Sequence, residues 1–164
     1  MDPLRRRLVE MLEGKGAHVD FEGAVAGLTA EAAGRRAAGL PHTAWQLVEH
    51  LRIALQDLVG YSRSAGHVSP PWPEGYWPAE DAPPSEPAWE DSLAGYRRHL
   101  GEMIALVSDP ATDLVAPLPW SGFGADVLRE ATIAASHASY HLGQIVDLRR
   151  ALGDWPPASE EGSR

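Results

Sequence analysis

The chain contains no cysteine among its 164 residues. This absence excludes disulfide bonds, thiolate metal ligands, iron–sulfur clusters and cysteine nucleophiles. Any metal binding or catalysis must therefore use the oxygen and nitrogen groups of other side chains. The content of 44% hydrophobic and 23% charged residues is typical of a globular protein, and the length fits one domain.

Positive charge is also scarce. There are 14 Lys and Arg residues against 23 Asp and Glu residues, which gives a formal net charge of -9. Nucleic-acid binding needs clustered cations that contact phosphates. The charge balance therefore argues against a nucleic-acid partner and against a role in DNA repair.

Long hydrophobic runs are missing as well. The N-terminal segment carries cations but no apolar stretch behind them, so it does not have the pattern of a secretory signal. Nowhere does the sequence approach the roughly 20 consecutive apolar residues that a membrane-spanning helix needs. We therefore expect a soluble, cytoplasmic protein with no membrane partner.

Helical patterns account for most of the chain, and no segment has the pattern of a strand. Apolar spacing predicts a first helix over 2–13 and two short helical pieces over 21–26 and 30–36. Longer helices begin after Thr43 and after Ser85, and a last helix covers 125–152. Gln46, three residues after Thr43, completes the pattern of a capping box.

Two long connections join the longer helices. The first, over 66–88, carries seven prolines together with Trp72, Tyr76 and Trp77. Because large aromatics are rare in disordered linkers, we interpret it as an ordered crossover packed over the domain. The second connection, over 110–123, is also rich in proline.

These elements predict the fold class and the domain boundaries. Four principal helices with two long, irregular crossover connections indicate an all-α, four-helix bundle. We expect residues 1–157 to form a single domain, followed by a flexible tail over 158–164.

Two histidines on the last helix have the spacing of paired metal ligands. His137 and His141 are four residues apart, so both imidazoles project from one helix face, one turn apart. Glu130, Gln144 and apolar residues lie on the same face, which therefore points into the bundle. The pair alone favours a simpler interpretation, in which two partly buried histidines hydrogen-bond to their neighbours.

A third histidine changes this balance. His50 lies on the inner face of the helix that follows Thr43, where a bundle usually places Leu or Ile. A lone buried histidine is common, but three inward histidines on two facing helices are much less so. If charged they would repel one another, so they need neutral states or a shared cation.

The residues around these histidines resemble the DinB-like superfamily of DinB and YfiT-type proteins. The resemblance rests on PHTAWQLVEHLR at 41–52 and HASYHLGQI at 137–145, and it extends into LRRALG at 148–153. The WP at 72–73 and the YWP at 76–78 also look like members of this group. Nearly the whole chain is covered.

The resemblance implies a four-helix bundle, usually a homodimer, that holds one divalent metal through three histidines. Carried over by position, the metal ligands are His50, His137 and His141. Three neutral imidazoles completed by water form an open, catalytic type of zinc site. Imidazole alone does not distinguish zinc from nickel, iron or copper, and we expect zinc or nickel.

Several other polar residues are candidates for supporting roles at such a centre. Gln144 and Glu130 are the catalytic candidates, because both share the inward face with the ligands. Asp57, Glu49 or Asp147 could accept the second N–H of a ligand histidine. A solvated helix face explains each of these residues at least as well.

Three residues outside the helix faces are candidates for the walls of a substrate pocket. Trp72 and Trp77 lie on the first crossover, where they could cover an apolar substrate, and His42 could line the pocket mouth. The alternative for both tryptophans is that they anchor the loop to the bundle.

The resemblance also implies a reaction class. Relatives include transferases and isomerases that use low-molecular-weight thiols such as bacillithiol or mycothiol, so a thiol S-transferase acting on a small molecule is the leading interpretation. A metal-assisted hydrolase is the enzymatic alternative. A non-enzymatic, metal-binding stress-response bundle is the third.

Overall fold

A computed structural model describes residues 1–157 of the chain, so the tail predicted over 158–164 lies outside the described residues. Within them the chain forms six α-helices and no strand, which confirms the predicted all-α class. The helices are α1 (Pro3–Leu12), α2 (Phe21–Val25), α3 (Ala30–Ala33), α4 (Ala44–Arg63), α5 (Glu86–Ser108) and α6 (Val127–Ala151). None of these helices combines the length and the apolar composition that crossing a membrane requires.

Four of the helices, α1, α4, α5 and α6, pack as a bundle. α4 lies along both α5 and α6, and α1 packs against α5 and α6. The core consists of apolar side chains from all four helices, including Leu8, Leu12, Val48, Leu51, Leu55, Leu93, Met103, Val107, Ile145 and Leu148. The predicted bundle with two long connections is therefore confirmed.

The start of α4 is fixed by the predicted capping box. The Thr43 hydroxyl accepts a hydrogen bond from the Gln46 backbone N–H at 3.2 Å, and the Gln46 side-chain oxygen accepts one from the Thr43 N–H at 3.2 Å. Two N–H groups that the helix itself cannot pair are thereby satisfied. This cap sets where α4 begins and hence the direction in which His50 points.

The connection over residues 64–85, called here the α4–α5 loop, is tied to the start of α4. The Thr43 hydroxyl donates to the Asp81 carbonyl at 2.6 Å, and the Gln46 amide donates to the Asp81 carboxylate at 3.2 Å. The Arg36 guanidinium donates to the same carboxylate at 2.6 Å. The loop therefore packs on the bundle, as its aromatic content indicated.

Several helix boundaries differ from the sequence-based expectation, by one to three residues. α6 begins two residues later than predicted, because the Asp126 carboxylate accepts from the Arg129 N–H at 2.7 Å and so caps the helix at that point. The two short helices end earlier than predicted, at Val25 and Ala33. None of these shifts moves a histidine of the predicted metal site.

Replacing Thr43 with alanine should lower the free energy of unfolding by about 2 kcal/mol, the upper end of the range for a lost cap. The loss is large because Thr43 is fully buried and its hydroxyl also pairs the Asp81 carbonyl. Urea unfolding followed by circular dichroism measures the change. Thr29→Ala is the matched control, since Thr29 caps the short, exposed end of α3. Equal losses in the two variants would contradict the prediction.

Candidate metal centre

Three histidine side chains converge where α4 faces α6. The Nε2 atom of His137 lies 3.0 Å from Nε2 of His50 and 3.0 Å from Nε2 of His141. His50 and His141 are buried, and His137 is half-buried. One ligand atom from each residue lies within 4.8 Å of the other two. The structure thus brings together the three residues that the sequence pattern singled out.

Hydrogen bonds on the far side of two of these rings determine their tautomers. His50 Nδ1 lies 2.9 Å from the backbone carbonyl of Tyr76, which can only accept. His141 Nδ1 lies 2.6 Å from the side-chain oxygen of Gln144. Nδ1 is therefore the donor in both rings, and in the neutral imidazole Nε2 then carries a free lone pair.

The environment keeps these imidazoles neutral. Burial lowers the pKa of His50 and of His137 to about 4. Burial also lowers the pKa of His141, although its bond to Gln144 opposes the shift. Near pH 7 the cluster therefore carries no charge of its own, which is the protonation state that metal ligation requires.

The donor set fits a divalent transition metal. The Nε2 lone pairs of His50 and His141 both face His137, whose single ring N–H could pair only one of them. Two ligand nitrogens bound at about 2.0–2.1 Å to one ion lie roughly 3 Å apart, close to the separations of 3.0 Å observed here. Among residues 1–157, no carboxylate and no fourth histidine joins the cluster. A metal held there would keep an open coordination position.

Aromatic side chains cover one side of the cluster. Trp77 stacks on the His50 ring with centroids 3.8 Å apart and an angle of 3° between the planes. His42 stacks on Trp77 at 4.2 Å. Trp72, in contrast, is 74% exposed and meets Tyr76 edge-on, so the structure places it outside this group.

A cavity of about 100 Å³ lies beside the cluster, between the segment before α4 and the C-terminal half of α6. It shares His42 with the aromatic stack and Gln144 with the hydrogen bond to His141. The lining is mostly apolar, and it consists of Leu40, Pro41, His42, Leu47, Gln144, Asp147 and Leu148. Its mostly apolar lining with a few polar groups suits a small, largely apolar chemical group.

The remaining polar candidates have partners of their own. Glu130 is buried and pairs with Arg129 at 2.5 Å, two turns of α6 before His137, and burial raises the pKa of its carboxyl. Asp57 binds the Tyr76 hydroxyl at 2.6 Å. The Nδ1 partners of His50 and His141 are the Tyr76 carbonyl and the Gln144 oxygen, so the carboxylate candidates do not fill this role for these two rings.

The actual acceptors differ in how far sequence could reveal them. Gln144 shares the inward face of α6 with His141, so its spacing predicted a supporting role, and its oxygen accepts from that ligand. The acceptor for His50 is a main-chain carbonyl, at Tyr76. Every residue has such a group, so no residue-type pattern could single this one out.

Comparison with known proteins agrees with this geometry. The family model described as the DinB superfamily matches residues 15–145 of the chain. The matched segment contains all three histidines, the whole of α4 and most of α6. No curated protein and no solved structure matches the chain.

Protein purified without an affinity tag should contain about one equivalent of a divalent transition metal, measured by mass spectrometry. The triple variant His50→Ala, His137→Ala, His141→Ala should lose that metal while circular dichroism still reports a helical protein. His18→Ala is the control, because His18 is exposed and lies outside the cluster. Equal metal content in all three proteins would show that these histidines do not bind it.

The metal-free protein should lose stability as the pH falls from about 6.5 to about 4. Over this range the unfolded chain protonates its histidines near pKa 6.5, whereas burial holds the pKa of His50 and His137 at about 4. The unfolded state therefore binds more protons, and each unit of difference corresponds to about 1.4 kcal/mol.

Urea unfolding at pH 7, 6, 5 and 4 in the presence of a chelator measures this dependence. The double variant His50→Gln, His137→Gln should show a shallower decline, since it lacks both groups while retaining every carboxylate. Parallel curves for the two proteins would refute the assignment.

Proposed function

The chain belongs to the DinB superfamily, and on that premise we propose that it is a metal-dependent enzyme of the thiol S-transferase type. It would transfer a low-molecular-weight thiol, such as bacillithiol or mycothiol, to a small electrophilic molecule. Zinc or nickel is the proposed metal, and a homodimer is the proposed assembly. The ligands in this proposal are His50, His137 and His141.

One observation carries the proposal: three neutral imidazoles converge without a fourth protein ligand among the described residues. A divalent ion bound by neutral ligands retains its full charge and would hold a coordinated thiol as the thiolate at neutral pH. The chain's own contribution is orientation. The Tyr76 carbonyl and the Gln144 side chain hold two of the rings with Nε2 turned inward.

The surroundings of the cluster suit a small, largely apolar second substrate. Trp77 and His42 exclude water from one side of the His50 ring. The adjoining cavity of about 100 Å³ offers apolar walls, with the Gln144 amide available as a polar contact. We propose that the electrophile occupies this cavity next to the metal-bound thiol. Trp77 and His42 are then pocket residues.

A metal-assisted hydrolase is the second candidate, because an open metal position also accepts water. Hydrolases commonly add a general base within hydrogen-bonding reach of that water. Glu130 is paired with Arg129 and lies two turns of α6 before His137. The Gln144 oxygen is occupied by its hydrogen bond to His141. Thiol activation needs no such base once the ion lowers the thiol pKa, so the site favours the transferase.

The test uses cobalt-substituted protein, whose absorption spectrum reports the ligands of the ion. Adding mycothiol or bacillithiol should produce a new near-ultraviolet thiolate-to-cobalt band and shift the visible bands. The S-methylated form of the same thiol is the control, since it cannot become a thiolate. A spectrum unchanged by the free thiol would refute the transferase proposal.

The same protein separates the remaining alternatives. Thiol-independent hydrolysis of model esters, lost in the triple histidine variant, would favour the hydrolase. A third outcome would favour a non-enzymatic, metal-binding bundle. In that case metal stabilises the fold, but no thiol changes the cobalt spectrum and no thiol or ester is turned over.

A further inference from the structure

The α4–α5 loop is fastened to α4 at a second point, away from the helix start. The Asp57 carboxylate, only 14% exposed, uses both of its oxygens for this purpose. One accepts from the Tyr76 hydroxyl at 2.6 Å, and the other lies 2.6 Å from Nε2 of His67. Both partners belong to the loop, so a single helix residue holds two loop side chains.

Tyr76 connects this carboxylate to the histidine cluster. Its hydroxyl donates to Asp57, and its backbone carbonyl accepts from His50 Nδ1 at 2.9 Å. Asp57 follows His50 by seven residues, about 10 Å along the same side of α4. Tyr76 therefore spans two turns of the helix. A displacement of its side chain would also move the carbonyl that orients His50.

The phenol of Tyr76 remains protonated, and so able to donate, at neutral pH and well above it. Burial and the neighbouring Asp57 carboxylate raise the pKa of Tyr76 to about 12. A charge-assisted bond from a hydroxyl to a carboxylate is stronger than a bond between neutral groups. The tether between helix and loop is therefore firm.

A glycine in the last turn of α4 makes room for the other half of the tether. A Cβ at Gly60, one turn after Asp57, would clash with the His67 imidazole. Glycine inside a helix is less favourable than alanine by about 1 kcal/mol. The close approach of His67 to α4 thus depends on a residue that weakens the helix, which explains why an otherwise regular helix carries glycine there.

We propose that Asp57 is a positioning residue of the metal centre. Through Tyr76 it fixes the carbonyl that keeps His50 in its Nδ1–H tautomer, with Nε2 directed at His137 and His141. The inference rests on the metal centre of the proposed function. It adds a residue that touches neither metal nor substrate. Loss of a group that hydrogen-bonds a ligand histidine directly typically reduces metal affinity about 10–100-fold, and Asp57 acts one residue further out, so a smaller loss is expected.

The first test deletes the tether without touching the carbonyl. Tyr76→Phe and Asp57→Ala should each lower the Zn²⁺ affinity of the full chain by about threefold to tenfold, measured by competition with a chromophoric chelator. Tyr61→Phe is the matched control, because it removes a phenol hydroxyl from α4 at a distance from the cluster. The double variant should lose no more than the larger single loss, since Asp57 acts through Tyr76.

A second readout needs no metal. Long-range proton–nitrogen correlation spectra of metal-free protein report which ring nitrogen of His50 carries the proton. The wild type and Tyr61→Phe should show the Nδ1–H form, whereas Tyr76→Phe should show a mixture of tautomers. A merely structural loop anchor would lower stability in these variants and leave the His50 tautomer unchanged.

Gly60→Ala tests the other half of the tether, the contact of the His67 imidazole with α4. It should displace His67 and shift affinity and tautomer in the same direction as Tyr76→Phe, although alanine favours the helix. If Asp57→Ala does not fold, these two variants decide the question. Affinities within twofold of the control, with an unchanged His50 tautomer, would overturn the proposal. A wild type that binds no Zn²⁺ would instead refute the proposed function, and the tautomer would still decide the role of Asp57.

Discussion

The contact on which the site depends is the approach of His137 Nε2 to the corresponding atoms of His50 and His141, at 3.0 Å each. The Nε2 atoms of His50 and His141 carry lone pairs, because each neutral ring has its only N–H at Nδ1 and donates it elsewhere. Such an arrangement is unfavourable in a buried place unless a positive centre lies between the nitrogens. The close packing of α4 on α6 brings the rings together, so the fold itself assembles a cluster that could hold a cation.

The proline-rich loop is as much a part of the site as the helices. It supplies the carbonyl that orients His50 and the indole that stacks on the same ring. It is held at the start of α4 by Asp81 and in the middle of α4 by Asp57. The Asp57 carboxylate binds two loop side chains at 2.6 Å each. Asp81 accepts hydrogen bonds from Thr43, Gln46 and Arg36. Trp77 lies between them in the chain, which keeps the aromatic cover over the histidines.

Local sequence patterns predicted the parts of this structure that local interactions determine. The cap at Thr43, the helical spacing of His137 and His141, and the inward position of His50 all follow from helix periodicity and short-range hydrogen bonds. The start of α6 was placed two residues early because several residues could begin the helix and only one of them, Asp126, caps it.

The loop was harder to predict because its contacts are not periodic. Trp72 and Trp77 are equally apolar and lie in the same proline-rich stretch, yet one is exposed and the other covers His50. Likewise, Asp57 was one of three candidates to accept a ligand's N–H directly, whereas it reaches His50 only by way of Tyr76. Which loop atom meets which helix atom depends on the path of the chain over the bundle, and residue types alone do not specify it.

The separation of the ligands along the chain has one further consequence. His50 and His137 are 87 positions apart, and a shared ion would join them as a crosslink. By the loop-entropy relation used for disulfides, such a crosslink would raise the free energy of the unfolded state by about 4–5 kcal/mol. A protein without cysteine would thereby gain an equivalent of a long-range disulfide. Because imidazole ligation requires no oxidation, this crosslink would form under reducing conditions and would open on chelation rather than on reduction.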